Sequence, residues 1–144
     1  MTRINIVEPS ELTDQHLIAE YREIFMVGGS LNRTLNSKIG YQESKVPKRY
    51  TLNTGHVYFF YNKGKYLHKR YDELIREMRN RGFSPSNDRP FPFSIFADNG
   101  LYNDWTPMIE DYEIIRQRIK EKINMKPEWY RRTSYETKDT KMDT

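Results

Sequence analysis

Near the front of the chain, Thr2 and Glu23 have the residue types that covalent chemistry on a sugar needs. Loss of Met1 is expected ahead of a side chain as small as threonine's, and it leaves Thr2 with a free α-amine. Such an amine titrates at roughly 7.7–8.0, far below lysine's value of about 10.4, so a good share is unprotonated near neutral pH. The neighbouring cations Arg3 and Arg22 are expected to lower it further. An unprotonated amine can attack an electrophilic sugar carbon and form an imine, as lysine does in Schiff-base enzymes. Imine chemistry on a nucleoside also needs a carboxylate to stabilise positive charge or move protons, and Glu23 is the candidate. On a helix, residues 16, 19, 20 and 23 share a face, so His16 stands beside Glu23. Glu20, Arg22 and Glu23 also fit an ordinary solvated polar face, and spacing alone leaves both readings open.

Other chemistries find less support. The chain has no cysteine, which excludes disulfides, thiol nucleophiles and thiolate metal sites. His16, His56 and His68 have no metal-ligand spacing, so neither a metal nor another cofactor is expected. His56 sits in the apolar stretch GHVYFFY and reads as a hydrogen-bonded core histidine; His68 also reads as structural. Lys+Arg number 24 against 20 Asp+Glu, giving a net charge of +4 and a pI near 9.2. At that pI an electrostatic footprint for nucleic acid is worth testing, although a well-solvated basic surface has the same composition. Aromatic residues make up 14% of the chain and can either fill a core poor in aliphatics or stack on bases. No apolar run is long enough for a signal core or a membrane span, so a soluble intracellular protein without membrane contact is expected.

Three helices must position these residues. The first begins between Ser10 and Asp14, where Ser, Thr and Asp offer caps, and carries Leu17, Tyr21, Ile24 or Phe25, Leu31 and Leu35 at helical spacing. Gly28-Gly29 interrupts it and predicts a kink, a break or a close approach by another group. The run Val57–Tyr61 fits a strand or a buried helix equally well. The second helix spans Lys65 to Arg81, with Leu67, Leu74, Ile75 and Met78 on one side and Gly82 as its C′ residue. Phe83 to Asp104 reads as a long loop, functional or packed by its own side chains. Thr106-Pro107 predicts a cap and first helical residue for the third helix. That helix turns Met108, Tyr112, Ile115, Ile119 and Ile123 inward and holds Arg116, Arg118, Lys120 and Lys122 on its other faces. Trp129 by itself reads more readily as a core anchor than as a stacking platform. One mainly helical domain is expected over residues 1–135, with a disordered tail over 136–144.

The blocks MTRIN, SEL-DQHL-AEYRE ending at Glu23, GHV-FFY-K, ELI, RGF at Gly82-Phe83 and WY at Trp129-Tyr130 together carry a resemblance. The chain resembles the phage pyrimidine-dimer DNA glycosylases, also called endonuclease V. The correspondence runs from Met1 to Phe83 without a gap and resumes from about Trp105 to Tyr130. It is specific because the shared residues include charged and polar ones that core packing does not demand.

The resemblance implies a compact all-α fold with three helices in a single layer and long irregular loops. It implies a glycosylase and abasic-site lyase that acts on cyclobutane pyrimidine dimers in duplex DNA, with base flipping and no metal. Carried over position by position, it gives the nucleophilic amine to Thr2 and the essential carboxylate to Glu23. Phosphate or lesion contacts fall to Arg3, His16, Arg22, Arg118 and Lys122, and Trp129 and Tyr130 correspond to an aromatic segment near the damaged strand. The implied partner is damaged double-stranded DNA, the acting species a monomer, and the setting the cytoplasm of a phage-infected cell. The chain departs from the family pattern at Met26 and Asn32, where the family carries arginines. It departs again at Arg131-Arg132 and across the loop from Ser84 to Asn103. Another lesion handled on the same scaffold, or a binding module for DNA or protein that lacks the reaction, are the rival readings.

Overall fold

A computed structural model describes residues 3–85 and 89–133. Among these residues the regular structure is entirely helical: α1 Asp14–Leu35, α2 His56–Phe59, α3 Gly64–Asn80, α4 Ser94–Ala97 and α5 Ile109–Met125. The fold is all-α, with α1, α3 and α5 as its three long helices. Thr2 and the tail expected beyond residue 135 lie outside the described residues.

α1 starts where its sequence offers a cap. The Thr13 Oγ1 accepts the His16 N–H at 3.1 Å, and Asp14 places a negative charge in the first turn. The helix then runs unbroken through Gly28-Gly29. Gly28 is the close approach of the pair, because a Cβ there would lie 3.2 Å from Pro92 Cγ and 3.8 Å from the Phe96 ring, whereas one on Gly29 would meet only the end of the Arg33 side chain at 3.8 Å. The run expected as strand or helix is the one-turn helix α2. α3 ends in a Schellman motif: Phe83 N–H bonds to the Met78 carbonyl and Gly82 N–H to the Arg79 carbonyl, both at 2.9 Å. That geometry needs a left-handed residue at position 82, and Gly82 supplies φ +89°.

The third helix begins later than Thr106-Pro107 predicts. Met108 is its N-cap, and the Asp111 carboxylate accepts the Met108 N–H at 2.8 Å. A capping carboxylate within reach sets the start two residues downstream of the expected cap. As a result Met108 does not face the core but is 58% exposed. α5 is attached lightly: Asp111 and Ile115 are its buried residues, with Tyr112, Ile119 and Ile123 partly covered.

The core lies between α1 and α3, which pack together, with α2 and α4 against α1. Leu17, Ile24 and Leu31 of α1 meet Leu67 and Leu74 of α3, while Phe60 and Phe96 fill the space beside them. The expected loop from Phe83 to Asp104 is packed by its own side chains. Phe91, Phe96 and Leu101 are buried, and α4 presses Phe96 directly onto Gly64.

The segment before α1 starts with alternate residues on opposite sides, Ile4 entering the core while Arg3 and Asn5 face the other way, and then turns at Ile6, which is buried together with Val7. Hydrogen bonds hold it along its length. Tyr50 Oη donates to the Ile4 carbonyl at 2.8 Å, and His56 Nε2 accepts the Ile4 N–H at 2.8 Å. Glu20, fully buried on α1, accepts from the Asn5 N–H at 3.2 Å and the Asn5 Nδ2 at 2.9 Å. Arg70 of α3 donates to both Glu20 oxygens, at 2.6 and 3.0 Å, and to the Val7 carbonyl. Glu20 is therefore not part of a solvated face but a buried anchor. Removing either partner of such an ion pair costs about 3–5 kcal/mol, because the other charge is stranded.

Candidate active site

The anchored segment brings Arg3 and Asn5 to a pocket of about 320 Å³. Its walls are His16, Ala19, Glu20 and Glu23 of α1, Arg118, Ile119 and Lys122 of α5, and Tyr130 beyond α5. The residues at 16, 19, 20 and 23 do share one helical face, and the fold aims it at the N-terminal segment.

Glu23 is half-buried, and burial pushes its carboxyl above the usual glutamate range. The Arg3 backbone N–H, which donates to it, and the Arg3 charge work in the opposite direction. Burial and the neighbouring Arg118 pull Arg3 below the ordinary arginine value, which leaves it charged at neutral pH. Burial, then the Arg3 charge, lower the His16 imidazole and favour its neutral form. With Glu20 neutralised by Arg70, three cations and Glu23 set the field of the pocket. That arrangement suits a phosphorylated sugar beside a proton-transfer group.

The wall at Tyr130 is built from α1. Gln15 Nε2 donates to the Trp129 carbonyl at 2.7 Å, and Gln15 Oε1 accepts the Arg131 N–H at 3.0 Å. Asp14 continues the strap, accepting from Thr133 N–H at 3.1 Å and Thr133 Oγ1 at 2.8 Å. Tyr130 between these points stacks on His16.

A match to the family model for pyrimidine dimer DNA glycosylase covers residues 1–90. The chain belongs to the pyrimidine dimer DNA glycosylase family. The match takes in the N-terminal segment, α1 and α3, the elements that hold Arg3, Asn5, Glu20 and Glu23 at the pocket. It stops before α5, so the glycosylase family model says nothing of Arg118, Lys122 or Tyr130. Damaged DNA is the ligand that this family membership implies.

Among the residues expected to serve a DNA glycosylase, Arg3, His16, Glu23, Arg118, Lys122 and Tyr130 come together around the pocket. Arg22 does not: its side of α1 is exposed, away from the residues lining the pocket. Trp129 is no core anchor, being 56% exposed, with its ring edge-on to Tyr130 at 4.9 Å. Its burial was expected from apolar size, but the strap attaches through backbone groups and leaves the indole outside. His56 is the buried, hydrogen-bonded histidine expected. Its Nδ1 donates to the Thr51 carbonyl at 2.8 Å, which fixes the tautomer and leaves Nε2 to accept from Ile4. Burial lowers its pKa.

Sequence reasoning missed Asn5, Glu20 and Gln15. The alternation of Arg3-Ile4-Asn5-Ile6 was the available signal for Asn5. Glu20 and Gln15 had none, since their partners lie 50 and 116 positions away. Among the described residues, no group of three His, Asp or Glu side chains could hold a metal ion, and no helix is long and apolar enough to cross a membrane.

Proposed function

We propose that this protein excises cyclobutane pyrimidine dimers from duplex DNA and then cuts the strand, forming an imine between the Thr2 amine and the sugar. The observation that carries this reading is the Arg3 backbone N–H donating to Glu23. Covalent geometry keeps the backbone nitrogen of residue 2 within roughly 3–4 Å of the nitrogen of residue 3. A carboxylate that meets the nitrogen of residue 3 is thus one peptide unit along the chain from the α-amine that removal of Met1 would create.

In this scheme the cations take hold of phosphates first: Arg3, Arg118 and Lys122 from the pocket, Arg22 from the exposed side of α1. Binding is accordingly salt-dependent. The duplex bends and a nucleotide is extruded at a cost of a few kcal/mol, less where the lesion already weakens stacking. Trp129 offers an exposed face to the unstacked strand, and Tyr130 with His16 walls the sugar. The Thr2 lone pair attacks C1′, and the glycosidic bond breaks with its electron pair leaving on the base. Glu23 supplies and withdraws protons, and its raised pKa brings it nearer to the pH at which it works. Loss of a C2′ proton then expels the 3′-phosphate, and water hydrolyses the imine.

Borohydride reduction on dimer-containing and on abasic duplexes tests this. A covalent adduct with both, blocked at the N-terminus, is the expected result, and Glu23→Gln should bind DNA without cleaving it. A second reading, another lesion on the same scaffold, draws on Met26, which is 55% exposed where the family carries a phosphate-binding type of residue. An adduct with abasic DNA alone favours that reading.

A further inference from the structure

Asn5 is a buried residue of the pocket whose side chain is left half-used. It is buried, its Nδ2 is spent on Glu20, and its Oδ1 has no hydrogen-bond partner. Among the described residues, no other buried side-chain nitrogen or oxygen is left in this state.

The orientation of that amide is dictated from outside. Arg70 donates twice to Glu20 and so fixes its carboxylate. A carboxylate only accepts, so Asn5 must turn its NH₂ toward Glu20 and its oxygen away. Rotating the amide would set two acceptors against each other. The backbone reinforces the placement. Ile6 has φ +50°, and the Val7 N–H reaches back to the Asn5 carbonyl at 2.5 Å, closing a γ-turn that a β-branched residue rarely adopts. Strained turns of this kind persist where the surroundings over-determine them. Here Glu20, Arg70, His56 and Tyr50 do so from both sides.

An acceptor held in place and left unpaired calls for a donor carried by what occupies the pocket. An intact deoxynucleotide within a DNA strand offers no donor from its sugar or its phosphates. One appears during the proposed reaction. When the Thr2 nitrogen has bonded to C1′ and the base has left, the C1′–O4′ bond breaks. Its electron pair goes to O4′, which takes a proton from the Glu23 carboxyl, while the nitrogen lone pair forms the C1′=N bond of the iminium. The product of that step carries a new O4′–H.

We propose that Asn5 is a catalytic residue whose Oδ1 accepts the O4′ hydroxyl as the sugar ring opens. This inference rests on the imine reading above. The contact is absent in the ground state and made only as the ring opens, the condition under which an interaction accelerates a step instead of merely tightening binding.

Asn5→Leu keeps the size of the side chain and removes the acceptor. Single-turnover cleavage of abasic duplex DNA should slow about tenfold or more, with borohydride-trapped adduct falling in step. Affinity for a duplex containing a tetrahydrofuran abasic analogue, whose ring cannot open, should stay within about twofold. An unchanged cleavage rate overturns the proposal, and so does an equal loss of tetrahydrofuran binding, which marks a purely structural role. The wild-type structure after borohydride reduction on abasic DNA gives a readout independent of the variant's folding. There O4′ should lie within hydrogen-bond distance of Asn5 Oδ1, and a separation too long for a hydrogen bond overturns the assignment. If the wild type forms no adduct at all, the imine reading itself has failed, a result distinct from either of these.

Discussion

The rings of His16 and Tyr130 lie face to face, with centroids 4.8 Å apart and planes 6° from parallel. One comes from the first turn of α1 and the other from the strap beyond α5, so this stack closes the pocket between two distant parts of the chain. It holds because Gln15 grips the backbone on both sides of Tyr130.

Gln15→Leu should therefore loosen the wall without unfolding the protein. Each hydrogen bond contributes about 0.5–1.5 kcal/mol, and the Asp14 contacts to Thr133 remain. Affinity for duplex DNA carrying an uncleavable abasic analogue should fall about 3- to 10-fold. A fluorescence titration checks this, and unchanged affinity means that the stack has no part in binding.

His56 should make the fold acid-sensitive. Its folded pKa lies below the ordinary histidine value, and the unfolded chain titrates near about 6.5. Between those two values the unfolded state takes up a proton that the folded state refuses. The stability is thus complete above about pH 6.5 and is lost as pH falls toward the folded pKa. His16, also lowered, adds to the slope in the same direction. Urea midpoints measured from pH 7.5 to 5 should decline, and His56→Gln should show a shallower decline over that window. A midpoint independent of pH there contradicts the assignment.

Glu23 gives the opposite sign. Its folded carboxyl titrates above the usual value, so ionisation favours the unfolded chain as pH rises through that range. Glu23→Gln should raise the melting temperature slightly at neutral pH while eliminating strand cleavage. Wild-type and variant melting curves should converge in acid, where both side chains are uncharged. A variant less stable than wild type at neutral pH would show that the carboxylate supports the fold.

Two glycines should respond differently to alanine. A Cβ on Gly64 would stand 2.5 Å from both Cβ and Cγ of Phe96, a fully buried ring with nowhere to go. Overpacking of this kind costs about 1–3 kcal/mol or more. On Gly28 the nearest atom is Pro92 Cγ at 3.2 Å, and replacing glycine within a helix returns roughly 1 kcal/mol. Chemical denaturation should find Gly64→Ala strongly destabilised and Gly28→Ala close to wild type. Similar losses at both positions would mean that α4 is held less firmly against α3 than against α1.

Local rules read the long helices well. Leu17, Ile24 and Leu31 lie in the core at the spacing that made α1 legible, and Gly82 caps α3 as its position suggested. Both patterns depend only on residues within a few positions of one another. The start of α5 was misjudged because Asp111 captures the Met108 N–H, a competition between two local caps that spacing cannot rank. The exposure of Trp129 was missed because the strap is fixed through its backbone, and side-chain hydropathy carries no record of that.

The sequence by itself determined the all-α class and the family, and it singled out Arg3, His16, Glu23, Arg118 and Lys122, which line the pocket. Chemical type and short-range periodicity are written along the chain. Only the tertiary structure decided that Arg3, Glu23, Arg118 and Tyr130 border one pocket while Arg22 stands apart. It alone decided that Glu20, one turn before Glu23, is a buried anchor instead of a second acid in the site. Two glutamates on the same helical face differ in role because Arg70, fifty positions further on, meets one of them and not the other. That choice depends on how α3 packs against α1, a long-range relationship that no window of sequence contains.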